Sequence, residues 1–219
     1  MIKALIFDFD GLILETEGPV YQSWLDLYAS YNLTLSLSDW LTTIGTQDAD
    51  FDPARELERL VSKRLDWDEI EPHRKAQEQA LLQAEPPLPG VADYLADARR
   101  LGLFIGLASS SSGAWVKGHL TRLGLLDYFD SLRTREHVAL TKPDPALYLA
   151  VLGDLDVKPG QALALEDSPN GIRAAKRAGM YCVAVPNQLT RQLDLSEADL
   201  RLESLSSLSL ENLLRKLDA

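Results

Sequence analysis

Four short apolar runs, none alternating with polar residues, constrain this chain more than any other feature. They are residues 4–7 (ALIF), 103–108 (LFIGLA), 162–165 (ALAL) and 181–185 (YCVAV). A strand with one wet face alternates apolar and polar residues, whereas a strand covered on both faces does not, as in a parallel sheet. Between the later runs, residues 91–101, 113–123 and 172–178 carry apolar side chains at helical spacing. Each stretch stops at a glycine (Gly102, Gly124, Gly179), the residue that most readily takes the left-handed conformation just past a helix end. Strand, helix, strand, helix, strand predicts an α/β fold with a doubly wound, Rossmann-like parallel sheet.

The long interval after the first strand breaks that rhythm. Residues 16–84 show only helical patterns, among them Asp52-Pro53, an N-cap followed by proline at the first helical position. The stretch Glu85-Pro-Pro-Leu-Pro-Gly90 reads as a linker, because proline ends helices and stiffens the chain. The expected organisation is a catalytic core of residues 1–15 and 88–219 with an all-helical insertion over 16–87. The Leu/Ser-rich tail at 202–210 suits an amphipathic helix or a strand equally. Trp24, Trp40, Trp67 and Trp115 read as packing residues, and Arg55, Arg59, Lys63, Arg64, Arg74 and Lys75 as a solvated helix face.

Composition narrows the function. A formal net charge of −11 argues against a nucleic-acid partner. No apolar stretch approaches the roughly 20 residues that span a bilayer, so no membrane partner is expected. The amino-terminal run is too short for a secretory signal. Cys182 is the only cysteine, which suits a reducing, cytoplasmic setting.

Chemistry is carried by polar residues at strand ends. Asp8-Phe9-Asp10-Gly11 follows the first strand directly, where ligands bind in open α/β sheets. Glu166-Asp167 ends another buried run, and with Asp8 could supply the oxygen ligands that a hard cation such as magnesium prefers. Lys142, within Thr141-Lys142-Pro143-Asp144-Pro145, could balance Asp8 and a phosphate together. Ser109 and Ser110 end the second run, where a hydroxyl and backbone N–H groups at a helix start could hold phosphate oxygens. Each residue singly also has a plain role: turn, cap or solvated strand end.

Their order is more specific. FDFDGLILETE, LASSSS, TKPDPALY and LEDSPNGIRAAKRAG resemble the four motifs of the haloacid dehalogenase superfamily, over residues 4 to about 186. The helical insertion is similar to the cap of the subgroup containing β-phosphoglucomutase and phosphoglycolate phosphatase. The resemblance implies a Mg2+-dependent phosphatase acting on a small phosphorylated metabolite, a sugar phosphate or phosphoglycolate-like compound. A monomer is expected, though no sequence feature carries that expectation. The resemblance also implies Asp8 as nucleophile, forming an aspartyl-phosphate, and Asp10 as acid and then base. It implies Ser109, Ser110 and Lys142 as phosphate-binding, and Asp8, the Asp10 carbonyl, Asp167 and Glu166 around the metal. Substrate selection would fall to Glu17, Gly45, Thr46, Gln47 and Asn170. Two alternatives stand: a phosphomutase, whose cap histidine and arginine are missing here, and a noncatalytic phospho-accepting α/β module.

Overall fold

β1 (Ala4–Phe7) is buried along its whole length and lies inside a six-stranded parallel sheet. Its companions are β2 (Phe104–Ala108), β3 (Ser131–Arg133), β4 (Ala162–Glu166), β5 (Tyr181–Ala184) and β6 (Leu200–Arg201), in the spatial order β3-β2-β1-β4-β5-β6. The computed structural model describes residues 1–44 and 51–217, and the chain divides into two units, 1–14 with 86–219 and 15–85. No helix among the described residues is long and apolar enough to cross a membrane.

The 15–85 unit is helical: α1 (Glu17–Ser30), α2 (Leu37–Leu41), α3 (Pro53–Val61) and α4 (Trp67–Ala84). Asp52 caps α3, its Oδ1 accepting from the N–H groups of Ala54 and Arg55 at 2.9 and 3.2 Å. Tyr28 donates its hydroxyl to the Pro53 carbonyl at 2.7 Å, tying α1 to the start of α3. Arg74 corrects the expectation of a solvated basic face. Its side chain is buried, 4.5 Å above the Trp24 ring, ion-paired with Glu71 and Glu78 and donating to Ser23 Oγ. A guanidinium can leave water when its forked donors are met by carboxylates and a hydroxyl.

Within the sheet unit the strand residues sort by size. Leu5, Phe7, Ile105, Leu107, Leu163 and Leu165 join one core, covered by α5 (Val91–Arg100) and α6 (Gly113–Arg122). Ala4, Ile6, Ala108, Ala162 and Ala164 join the other, covered by α7 (Ala146–Leu155) and α8 (Pro169–Arg177). The small side chains on this second face let its helices come close. A Cβ on Gly106 would fall 2.3 Å from Val151 Cγ1 of α7. The tail forms a 3₁₀ turn at Leu205–Ser207 and then α9 (Leu210–Leu217), whose Leu210 and Leu213 join the first core.

β3 and β6 have no counterpart among the four apolar runs. Both are edge strands of two or three residues, too short to build an apolar run. The polar residues of β3 are satisfied from the neighbouring helix, Ser131 and Arg133 both donating to Asp154.

Candidate active site

The chain runs outward from β1 to β2 and β3, then crosses back to β4 on the other side of β1. The carboxyl ends of β1 and β4 therefore flank the point where strand order reverses, the crevice in which open α/β sheets bind ligands. Phe7 pairs with Leu165, and the Asp8 N–H donates to the Leu165 carbonyl at 3.0 Å, so Asp8 and Glu166 leave the sheet side by side.

Asp8, Lys142, Glu166 and Asp167 are all buried there. Lys142 Nζ donates to Asp8 Oδ1 at 2.6 Å and to Glu166 Oε1 at 2.5 Å, and the Tyr148 hydroxyl of α7 donates to the same Glu166 oxygen at 2.5 Å. Burial pulls the Lys142 ammonium down, but Asp8 and Glu166 outweigh it and hold its pKa above the ordinary lysine value. Burial pushes the Asp8 carboxyl up, against the pull of Lys142. Burial and then the Asp8 charge push Glu166 up to about 7.

One ammonium thus leaves these carboxyls short of positive charge. Carboxylate oxygens of Asp8, Glu166 and Asp167 lie within 4.8 Å of one another, and Glu166 Oε2 is buried with no hydrogen-bond partner among the described residues. An all-oxygen donor set with an unsatisfied anion fits a hard divalent cation. Two glycines shape the cluster. A Cβ on Gly11, at φ +77°, would fall 2.2 Å from Asp167 Oδ2, and one on Gly171 would fall 1.9 Å from Glu166 Oε2.

Asp10 is held differently. Its Oδ1 accepts from Trp115 Nε1 at 2.9 Å, and its Oδ2 accepts from Ser111 Oγ at 2.6 Å. A family model described as haloacid dehalogenase-like hydrolase matches residues 5–185. The chain belongs to the haloacid dehalogenase-like hydrolases. This hydrolase is 46% identical to "Putative phosphatase YhcW" of Bacillus subtilis over 100% of this chain and 99% of that protein. It is 32% identical to hexitol phosphatase B of Escherichia coli K12, over 97% of both. Among solved structures it is similar to a mutant of CbbY from Rhodobacter sphaeroides in complex with xylulose-(1,5)bisphosphate. That likeness has a TM-score of 0.72 at 29% identity, covering 97% of this chain and 99% of that one.

The remaining candidates of this hydrolase fall in several places. Ser109 is fully buried, its Oγ accepting from the Ser111 N–H at 3.0 Å and lying 3.4 Å from Asp10 Oδ2. Ser110 is half-buried in the turn before α6. Ser168 caps α8 by accepting from the Gly171 N–H. Asn170 accepts from Arg173 within α8, and Glu17 opens α1 in the helical unit. Gly45, Thr46 and Gln47 lie outside the described residues.

Three partners escape sequence reasoning. Tyr148 sits in the TKPDPALY motif, but nothing in its local pattern marks it. Trp115 reads as packing. Asn187, which donates to Asp167 Oδ2 at 3.0 Å, lies in a loop with no pattern of its own. Only their placement beside carboxylates reveals them.

Proposed function

We propose that this hydrolase is a magnesium-dependent phosphatase of small phosphorylated sugars or polyols, working through an aspartyl-phosphate on Asp8. The observation that carries the reading is the convergence of Asp8, Lys142, Glu166 and Asp167 at the strand-order reversal between β1 and β4. Asp8 is the nucleophile: a carboxylate oxygen bonds to phosphorus as the ester P–O bond breaks. Asp10 gives a proton to the leaving oxygen. It then takes one from the water that attacks phosphorus, breaking the bond to Asp8 and releasing inorganic phosphate. Ser109, Ser110 and Lys142 bind the transferring phosphoryl oxygens, and the ammonium reduces repulsion between two anions. Asp8, the Asp10 carbonyl, Asp167 and Glu166 would hold magnesium, which would supply the remaining positive charge.

Two relatives support this substrate class: one is named hexitol phosphatase B, and another was solved in complex with xylulose-(1,5)bisphosphate. The helical unit, with Glu17 and residues 45–47, is the proposed selector of the leaving group. Turnover of p-nitrophenyl phosphate with Mg2+, its loss in Asp8→Asn, and acid-stable capture of phosphate on the wild-type protein test the chemistry. A screen of hexitol phosphates, pentulose phosphates and phosphoglycolate tests the class. Conversion of β-glucose 1-phosphate to the 6-phosphate without phosphate release would instead identify a mutase.

A further inference from the structure

Asp10 reaches its partners from a turn, yet both of its carboxylate oxygens are held. Trp115 Nε1 donates to Oδ1 at 2.9 Å and Ser111 Oγ to Oδ2 at 2.6 Å. Ser109 Oγ also donates to Oδ2, at 3.4 Å. The donors differ in kind. An indole N–H can only donate, whereas a hydroxyl can donate or accept. A carboxyl keeps one bare acceptor oxygen whether or not it carries a proton. The bond from Trp115 can therefore persist on Oδ1 through a full acid–base cycle, while the Ser111 and Ser109 hydroxyls at Oδ2 can each donate or accept.

Trp115 is itself firmly placed. It stands in the first turn of α6, its N–H received by the Ser112 cap at 3.3 Å. Its ring meets His119 edge-on at 4.4 Å and packs against the core that holds Phe7 and Phe9. A donor mounted on a capped helix orients a carboxyl more sharply than one on a loop.

We infer that Trp115 is a positioning residue for Asp10, holding its carboxyl in the orientation from which Oδ2 exchanges a proton with the leaving oxygen. This rests on the acid–base reading of Asp10 above. A general acid matters most when the leaving group is a poor one. Phenyl phosphate needs protonation of its leaving oxygen more than p-nitrophenyl phosphate does. The value of kcat/KM reports only the steps up to loss of that group.

The experiment measures kcat/KM for both esters, with Mg2+, in wild type, Trp115→Phe and Asp10→Ala. General acid catalysis contributes about 10²–10⁴-fold. Trp115→Phe is expected to lose on the order of tenfold or more on phenyl phosphate and less than about threefold on p-nitrophenyl phosphate, with Asp10→Ala showing the same bias more strongly. Equal losses on both esters, or none, overturn the positioning role while leaving the reading of Asp10 intact. If Asp10→Ala shows no bias, that reading falls and this inference with it. Should Trp115→Phe fold poorly, benzothienylalanine at position 115 keeps the ring and deletes only the donor, and the same bias is expected.

Discussion

Asn187 Nδ2 lies 3.0 Å from Asp167 Oδ2, while the other end of the same amide, Oδ1, accepts from the N–H groups of Leu189 and Thr190 at 2.9 Å each. The loop after β5 thereby sets the direction of the amide, and the amide sets the direction of a proposed metal ligand. Outer partners of this kind typically contribute 10–100-fold to metal affinity. Asn187→Ala is expected to raise the Mg2+ concentration for half-maximal turnover by about that factor, with a smaller effect at saturating metal. An unchanged Mg2+ midpoint would show that Asp167 needs no such guide.

Lys142 bridges two buried carboxyls, so its removal acts on stability as well as activity. Breaking a buried pair from one side costs about 3–5 kcal/mol. Lys142→Met should lower the unfolding free energy of metal-free protein by about 3–5 kcal/mol. Because a ligand that binds only the folded state stabilises it, Mg2+ should return part of the loss without restoring turnover. Urea titrations with and without Mg2+ measure both.

Gly171 is shaped around Glu166. A methyl group there would meet Glu166 Oε2 at 1.9 Å, with the carboxyl already fixed by Lys142 and Tyr148. Gly171→Ala is expected to destabilise by more than about 1–3 kcal/mol, the ordinary cost of overpacking. Combining it with Glu166→Ala should cost less than the sum of the single changes. A double-mutant cycle with no coupling contradicts this contact.

Alkaline pH offers a check on the helical unit. Burial, then the Glu56 charge, pushes the Tyr28 phenol up to about 12, above the roughly 10 of an unfolded chain. The unfolded state therefore loses its proton first. The contribution of Tyr28 is complete below about pH 10 and disappears as pH rises toward 12. Stability of wild type should fall more steeply over that window than stability of Tyr28→Phe. Parallel pH profiles would place the phenol in water.

Much of the frame was legible along the chain because burial on both faces leaves a local mark. The runs at 4–7, 103–108, 162–165 and 181–185 became β1, β2, β4 and β5 with their ends shifted by at most one residue. Gly102, Gly124 and Gly179 all adopt positive φ past their helices. The strands that left no mark, β3 and β6, are edges that need little apolar covering. Arg74 was misread because a charged side chain at a helical position looks solvated until its partners are known.

By itself the sequence determined the covered strands, the helical insertion and the acidic and basic residues at strand ends, since each depends on neighbours a few residues away. Tertiary structure alone decided that Tyr148 reaches Glu166, that Trp115 reaches Asp10 and that Asn187 reaches Asp167, across separations of 18, 105 and 20 residues. Those bonds depend on strand order and on how closely the helices approach the sheet. No local pattern of residues encodes a distance that folding creates between remote parts of the chain.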